Sequence, residues 1–484
     1  MRTPITQYLW VLTLLAVPVT SAPWLPLGAT VSPLSFVFMV PTLILALLIP
    51  RRLSALIQSP FPILSLYCVW AVAVTVWQVG EAHSLAGSRS VVAAGLDEII
   101  TLCIGVGFYA TAVLMITNSK EMAFALRWLM VGLGVSVVVA LMQGFALLAV
   151  PSLYSHISEF FATYIAIDKG ARPGARGFTL EPSWLASQLT VLALPILLAR
   201  GFDPSSTRRW RISGKGWSFL VQPNSLMLAL CVAAIALSLS RGGLLAAGVI
   251  LLVACAFRFA RAKSAGDLLL PIAVLPTVAA MVLVSYVLSP YVRAAFDLPD
   301  SWQSVFEYLR AAGASNRATL WITWWRIFME SPFIGVGLGQ SPFYFYSEVP
   351  FWAVREWEIF QYVIGVLPDI PNSKNMFVRL LAETGIVGAV VFFAFIVTHF
   401  VRALAARRTP VTVFAVLLAI ALTVDFMSLD TFALPTLWLA LALLWRMSRL
   451  DRDYRPLQRT SVRNARAGTA GLGSHDDARR SLEA

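Results

Sequence analysis

The stretch "LMLALCVAAIALSLSRGGLLAAGVILLVACAF", residues 226–257, decides the fold. Two apolar runs flank Arg241, Gly242 and Gly243, and nothing else stands between them. A run of about 20 apolar residues is the length a helix needs to cross the hydrocarbon core of a bilayer. The runs therefore read as adjacent membrane helices joined by a tight turn. A guanidinium keeps its charge and is costly in hydrocarbon. With no loop to carry it into water, Arg241 raises the question of which anion meets it.

The rest of the chain follows the same pattern. Of its 484 residues, 58% are hydrophobic and only 13% charged, against about 25% charged in soluble domains. The apolar blocks are continuous rather than alternating, which points to helices and away from a β-barrel. Twelve spans are expected, at about 7–23, 31–49, 61–79, 98–117, 124–150, 183–199, 224–240, 242–258, 268–289, 375–400, 410–427 and 430–446. The expected fold class is an all-α, polytopic integral membrane protein, one transmembrane domain over 1–446. The first run resembles a signal peptide, with Arg2 before it and "VTSAPW" after it. Pro23 is a poor first residue for a mature chain, so an uncleaved span is the expectation.

Charge sets the orientation. With the N-terminus cytoplasmic and the spans alternating, 25 of the 37 basic residues fall inside and 12 outside. Acidic residues divide the other way, 8 inside and 17 outside. The formal +12 thus separates into +17 inside and −5 outside, as the positive-inside rule requires. The basic balance reports topology, and no nucleic-acid partner is expected. Cys68, Cys103, Cys231 and Cys255 all lie in spans, and the four histidines are scattered. Neither pattern matches a metal site or a disulfide framework, so no metal and no cofactor are expected.

Two external loops are long, 151–182 and 290–374. The second holds Trp302, Trp321, Trp324, Trp325, Trp352 and Trp357, six of the chain's 16 tryptophans. Within it "SNRATLWITWWRIFMESPF" has helical apolar spacing with interleaved charges, the pattern of a helix at the membrane surface. "GVGLGQSPF" then ends that helix with three glycines. These aromatics fit either an interfacial belt or a platform for the C–H faces of sugars. The tail 447–484 is basic and then Gly/Ser-rich, a composition expected to be disordered.

With this topology Arg241 lies at the external end of its span. A snorkelling arginine or a helix cap is one reading. A phosphate clamp is the other, since the planar fork binds phosphate bidentately and a helix start favours anions. "RPGARGFTLEPSWLASQL" brings Arg172, Arg176 and Glu181 to the same side. Arg317 opens the surface helix, and "PDIPNSKNMFVRLLAETGIVG" places Asn372, Lys374 and Asn375 at the mouth of a span. Asn375, Arg379 and Glu383 recur at i, i+4 and i+8, along one side of that helix. Arg379 and Glu383 read either as an ion pair that makes burial tolerable or as functional groups within the membrane. Several cations at one external surface suit a diphosphate carried by a lipid.

These segments resemble the O-antigen ligase and Wzy-type polysaccharide polymerase superfamily. The resemblance rests on "SLSRGG", "RATLWITWWRIFMESPFIGVGLG", the asparagine-bearing segment before "LLAETGIVG", and "RGFTLEPS". It covers roughly residues 170–400, plus the twelve-span plan and the late, large periplasmic loop. It implies a metal-independent, inverting glycosyltransferase of the C-type fold in the bacterial inner membrane, with its site facing the periplasm. Donor and acceptor would be undecaprenyl-diphosphate-linked glycans. A co-polymerase that sets chain length would be an optional partner besides the lipid bilayer. By resemblance Arg241 and Arg317 would bind the donor diphosphate, and Arg176, on the same side, is a further candidate ligand. Glu181, Lys374 and Glu383 carry the catalytic roles, and Asn372, Asn375 and Arg379 support them.

One departure separates the options. Ligases of this family carry histidine before the asparagine of this span, whereas "PNSKN" has Asn372 and Lys374 there. A lysine at its ordinary pKa of about 10.4 is a cation and not a base. Lys374 then fits better as a phosphate ligand, and Glu181 or Glu383 as a base. That favours a polymerase extending a lipid-linked glycan. A ligase that delivers glycan to lipid A-core or protein is the alternative. A flippase is the reading from another class, but it calls for ionisable residues near the bilayer midplane, and here they gather at one face.

Overall fold

A computed structural model describes residues 4–25, 31–81, 90–166, 174–202, 210–214, 217–221, 223–262, 269–288, 290–294, 296–297, 305–364, 371–406 and 409–450. Arg172, Trp302 and all but the first four residues of the basic tail lie outside these. Among the described residues the regular structure is helical except for one antiparallel hairpin, in which Trp210–Gly214 pairs with Trp217–Val221, and an isolated bridge between Ser21 and Ser32. The first half runs α1 (Pro4–Leu15), α2 (Ser35–Leu47), α3 (Pro50–Ile57), α4 (Phe61–Gln78), α5 (Val91–Met115), α6 (Ser119–Ala149) and α7 (Pro151–Tyr164). A single buried rod follows, α8 (Pro182–Gln188) and α9 (Leu194–Arg200) joined through a π-turn at Leu189–Ala193. Next come α10 (Pro223–Leu237), α11 (Arg241–Phe259) and α12 (Leu269–Leu288). Five short helices with α15 among them build the late loop: α13 (Pro290–Ala294), α14 (Val305–Ala311), α15 (Ser315–Glu330), α16 (Phe345–Glu348) and α17 (Trp357–Val363). The chain returns as α18 (Met376–Ala405), α19 (Thr409–Phe426) and a helix over 435–450.

This is a polytopic, helical membrane protein. Its core is a continuous apolar cluster running from Trp10 to Trp445. Apolar side chains also line the outside, where Leu66, Val69, Val76 and Trp77 on α4 and Val390, Val397 and Val401 on α18 are exposed. A surface of that kind is stable against lipid and not against water.

The span count falls below the expected twelve. Among the described residues seven helices are long and apolar enough to cross, or eight if α2 and α3, bent by 106°, form one span. The apolar runs include residues that do not extend a helix. Pro18 lies in the turn that follows α1, Pro41 and Pro276 lie inside α2 and α12, and the last helix begins only at residue 435. Pro4–Leu15, Asn224–Leu237 and Val274–Leu283 are the shorter apolar helices at these places.

Contacts between loops define two ends. At one, Leu180 N–H donates to Thr20 Oγ1 (3.0 Å), Ala175 N–H to Leu237 O (2.9 Å), and Arg379 meets Glu98 (2.6 Å). At the other, Arg52 lies against Met115, Arg258 donates to Gly201 O, and Arg446 to Ile116 O.

The late loop is fastened to the bundle through a break in α18. Gly385 adopts φ 64°, ψ −176°, a conformation open to glycine and hardly to other residues. The break leaves backbone groups without helical partners, and residues 332–337 supply them. Val336 N–H donates to Ala382 O (2.8 Å) and Gly337 N–H to Glu383 O (2.9 Å). In return Ile386 N–H donates to Pro332 O (2.9 Å) and Val387 N–H to Phe333 O (3.3 Å). Trp70 Nε1 on α4 covers Thr384 O at 2.9 Å. The inserted segment is pinned to α4 as well, by Gln78 Nε2 on Gly335 O (2.8 Å) and Thr75 Oγ1 under Leu338 N–H (2.9 Å).

A Cβ on Gly335 would lie 2.5 Å from the backbone of residues 383–385, and one on Gly385 would overlap the carbonyl of Phe333. Gly335→Ala or Gly385→Ala should therefore lower the thermal midpoint of the detergent-purified protein. Strain of this kind costs about 1–3 kcal/mol before the overlap is counted. Gly248→Ala, which meets only Val278 Cγ1 at 3.9 Å, should leave the midpoint unchanged.

Candidate functional site

Residues 428–430, in the connection 427–434 between α19 and the last helix, collect the polar residues of the first end. Asp430 is 7% exposed, and its Oδ2 accepts from Ser373 Oγ (2.9 Å) and from Lys374 N–H (2.8 Å). Its backbone carbonyl accepts from Arg379 Nη1. Two residues earlier, Ser428 O accepts from Arg317 Nη1 at 3.0 Å. Ser428 Oγ also lies 3.0 Å from where a Cβ on Gly242 would sit, so the glycine beside Arg241 allows that approach.

Arg241 is the first residue of α11, capped by Ser240, whose Oγ accepts from Gly243 N–H (3.3 Å). Arg241 Nη2 donates to Gly313 O at 2.9 Å, and its guanidinium stands 5.5 Å from the centroid of Tyr291. Gly313 turns at φ 62° just before α15, and Arg317 is the third residue of that helix. The starts of α11 and α15 are thus tied together, each with an arginine in its first turn. The start of α18 joins them through Asp430, capped by Asn375, whose Oδ1 accepts from Phe377 N–H (2.8 Å). Helix N-termini carry partial positive charge, which adds to the two guanidinium groups.

Lys374 holds a left-handed backbone, φ 51°, stabilised by Ser373 and Asp430. Its ammonium pairs with Glu358 on α17, and both side chains are partly accessible, 28% and 19%. Asn372 is exposed beside it.

The other predicted residues have partners within the protein. Arg379 and Glu383 form a buried ion pair at 2.9 Å, extended by Glu98 at 2.6 Å from Arg379 Nη2. Ser341 Oγ donates to Glu383 Oε1 (2.8 Å) and accepts from Trp324 Nε1 (2.9 Å). This is the ion-pair reading of the i, i+4 pattern. Arg176 is 3% exposed and donates to the carbonyls of Ala166 (3.2 Å), Thr179 (3.4 Å) and Ser158 (3.2 Å). Its fork shapes the approach to α8. Glu181 precedes α8 and accepts from Ser183 Oγ at 3.2 Å.

Some tryptophans of the loop are core and others are not. Trp324 is buried with Leu320, Ile327 and Phe345, whereas Trp325, Trp352 and Trp357 are exposed. No group of three His, Cys, Asp or Glu that would hold a metal occurs among the described residues.

Fold and site together define a helical membrane protein in which Arg241, Arg317 and Lys374 are joined through linked backbone at one end of the bundle. Residues 226–393 match the family model of O-antigen ligase, Wzy_C. The match bears out the expected O-antigen ligase and Wzy resemblance, and it includes Arg241, Arg317, Lys374, Arg379 and Glu383. No curated protein matches the chain. Sequence reasoning missed Ser428, Asp430, Glu358, Glu98 and Ser341, which complete the arrangement. Asp430 carried a usable signal, an acidic residue in a turn of a few residues between two spans.

Arg379→Leu removes the partner of a buried carboxylate, a change that costs about 3–5 kcal/mol. The expected result is a sharp fall in the folded, monodisperse fraction after detergent extraction. The double variant Arg379→Leu, Glu383→Leu should recover part of it, because fewer buried charges are then left unpaired.

Proposed function

We propose that the protein is a polysaccharide polymerase of the bacterial inner membrane. It transfers glycan from an undecaprenyl-diphosphate carrier to a hydroxyl of a lipid-linked repeat unit. The observation that supports this best is the convergence of Arg241 and Arg317, from the first turns of two helices, on linked backbone at one end of the bundle. Planar forks and helix N-termini are the groups that recognise a diphosphate. As the anomeric C–O bond breaks, negative charge grows on the leaving diphosphate, and fixed cations stabilise it without reorganisation. An acceptor hydroxyl attacks the anomeric carbon from the opposite face, which inverts its configuration. Arg176 and Glu383 stay outside this centre, because Arg176 is 3% exposed and Glu383 is buried against Arg379 and Ser341.

The charge division of +17 and −5 supports an orientation with the Arg258 and Arg446 end in the cytoplasm and the Arg241 end in the periplasm. The N-terminus is then cytoplasmic. A ligase is the second reading, favoured by the description of the matched family. The lysine in "PNSKN" favours the polymerase.

Removing one donor from a site of this kind costs about 10²–10³-fold in rate. Arg241→Ala and Arg317→Ala should therefore abolish polymer with protein abundance unchanged, and Arg241→Lys should be impaired because a point charge does not reproduce the fork. The check is the lipid-linked glycan profile of a strain lacking the protein, complemented with each variant. Single repeat units on the periplasmic side are expected. Long chains stranded on the carrier would mean a ligase, and units trapped on the cytoplasmic side would overturn both readings.

A further inference from the structure

We propose that Glu358 is the general base of the transfer, held in place by Lys374. The proposal rests on the transferase reading, since it supplies the group that accepts the proton of the attacking hydroxyl. Inverting glycosyl chemistry uses a carboxylate for this task, and such a carboxylate must be reachable by substrate.

Most acids at this end of the bundle are committed elsewhere. Glu98 and Glu383 are bound to Arg379. Glu356, 4% exposed, accepts two hydrogen bonds from Arg310 and one from Ser315. Asp430 holds Ser373 and the backbone of Lys374. Glu181 sits at the start of α8 with Ser183. Glu358 is 19% exposed and faces one ammonium through Oε1. A carboxylate has room for about four hydrogen bonds, so this pairing is compatible with a further one from an acceptor hydroxyl.

The mounting is rigid on both sides. On α17 the neighbours Ile359 and Tyr362 are buried in a small core with Leu320 and Trp324 of α15, the helix that carries Arg317. Base and diphosphate ligand therefore stand on one packed unit, which a site accurate to a fraction of an ångström needs. Lys374 is fixed by the same turn that Arg317 grips, through Asp430 and Ser428. In the step itself the acceptor oxygen bonds to the anomeric carbon and its proton passes to Glu358. The anomeric C–O bond breaks, and its electron pair leaves with the diphosphate. Glu358 then returns the proton to water.

The test uses the full-length protein in proteoliposomes, with lipid-linked glycan extracted from a strain lacking it as donor and acceptor. Glu358→Gln keeps the shape and removes the base. A drop in kcat of about 10²–10⁴-fold is expected, with KM for the lipid-linked glycan within about threefold of wild type. Glu358→Asp should retain partial turnover, which separates lost chemistry from lost folding. Lys374→Met should lower kcat, and the double variant should be little worse than Glu358→Gln alone. If Glu358→Gln turns over like wild type while Arg241→Ala is inactive, the base assignment is overturned and the transferase reading stands. A loss in Glu181→Gln with none in Glu358→Gln overturns it equally. If Arg241→Ala and Arg317→Ala also turn over like wild type, the transferase reading itself fails.

Discussion

A helix that crosses a membrane cannot leave backbone groups unpaired, since no water is present to satisfy them. The break of α18 at Gly385 creates that demand, and the rest of the site is arranged by the way it is met. Residues 332–337 enter the break and exchange four backbone hydrogen bonds with α18. Irregular backbone at this depth is tolerated only where protein buries it, and α4 provides that burial through Trp70, Thr75 and Gln78. The late loop is thereby docked at a defined position on the bundle. Ser341, a few residues beyond the insertion, reaches the Glu383 carboxylate and extends the same contact into a side-chain network.

From there the coupling runs through charge. Glu383 orients Arg379, Arg379 grips the carbonyl of Asp430, and Asp430 holds Ser373 and Lys374. The segment that carries Asp430 also receives Arg317, and the loop before Arg317 receives Arg241. Arg241 donates to the carbonyl of Gly313 and Arg317 to that of Ser428, contacts that help hold each fork in place. A carbonyl fixes a fork without cancelling its charge. The arginine in the turn between two spans thus meets a carbonyl that the late loop supplies.

Much of this was legible in the sequence. Continuous apolar runs located the helices, and alternation of the runs put Arg241, Arg317 and Lys374 on one side before any contact was known. Twelve runs exceed the seven or eight long apolar helices among the described residues, because an apolar run does not reveal the turn at Pro18 or the bend between α2 and α3. The glycines of "GVGLG" read as the end of a helix, but their insertion into α18 needs Gly385, and that conformation has no signature in spacing. Arg176 and Glu383 looked like site residues by side and by type. The carbonyls that Arg176 meets, 3, 10 and 18 residues away, and Ser341, 42 residues from Glu383, are presented by local conformations that spacing does not reveal. Glu358 was hidden for the same reason, as a single acid in an aromatic stretch, paired with a lysine 16 residues away.

The most direct measurement of the central claim is the affinity of the purified protein for undecaprenyl diphosphate, by native mass spectrometry or a thermal-shift titration, beside the Arg241→Ala, Arg317→Ala double variant. The account predicts binding that weakens with salt, falls at least tenfold in the double variant, and is weaker for undecaprenyl monophosphate. Equal affinity in wild type and double variant, with no preference for the diphosphate, would contradict it.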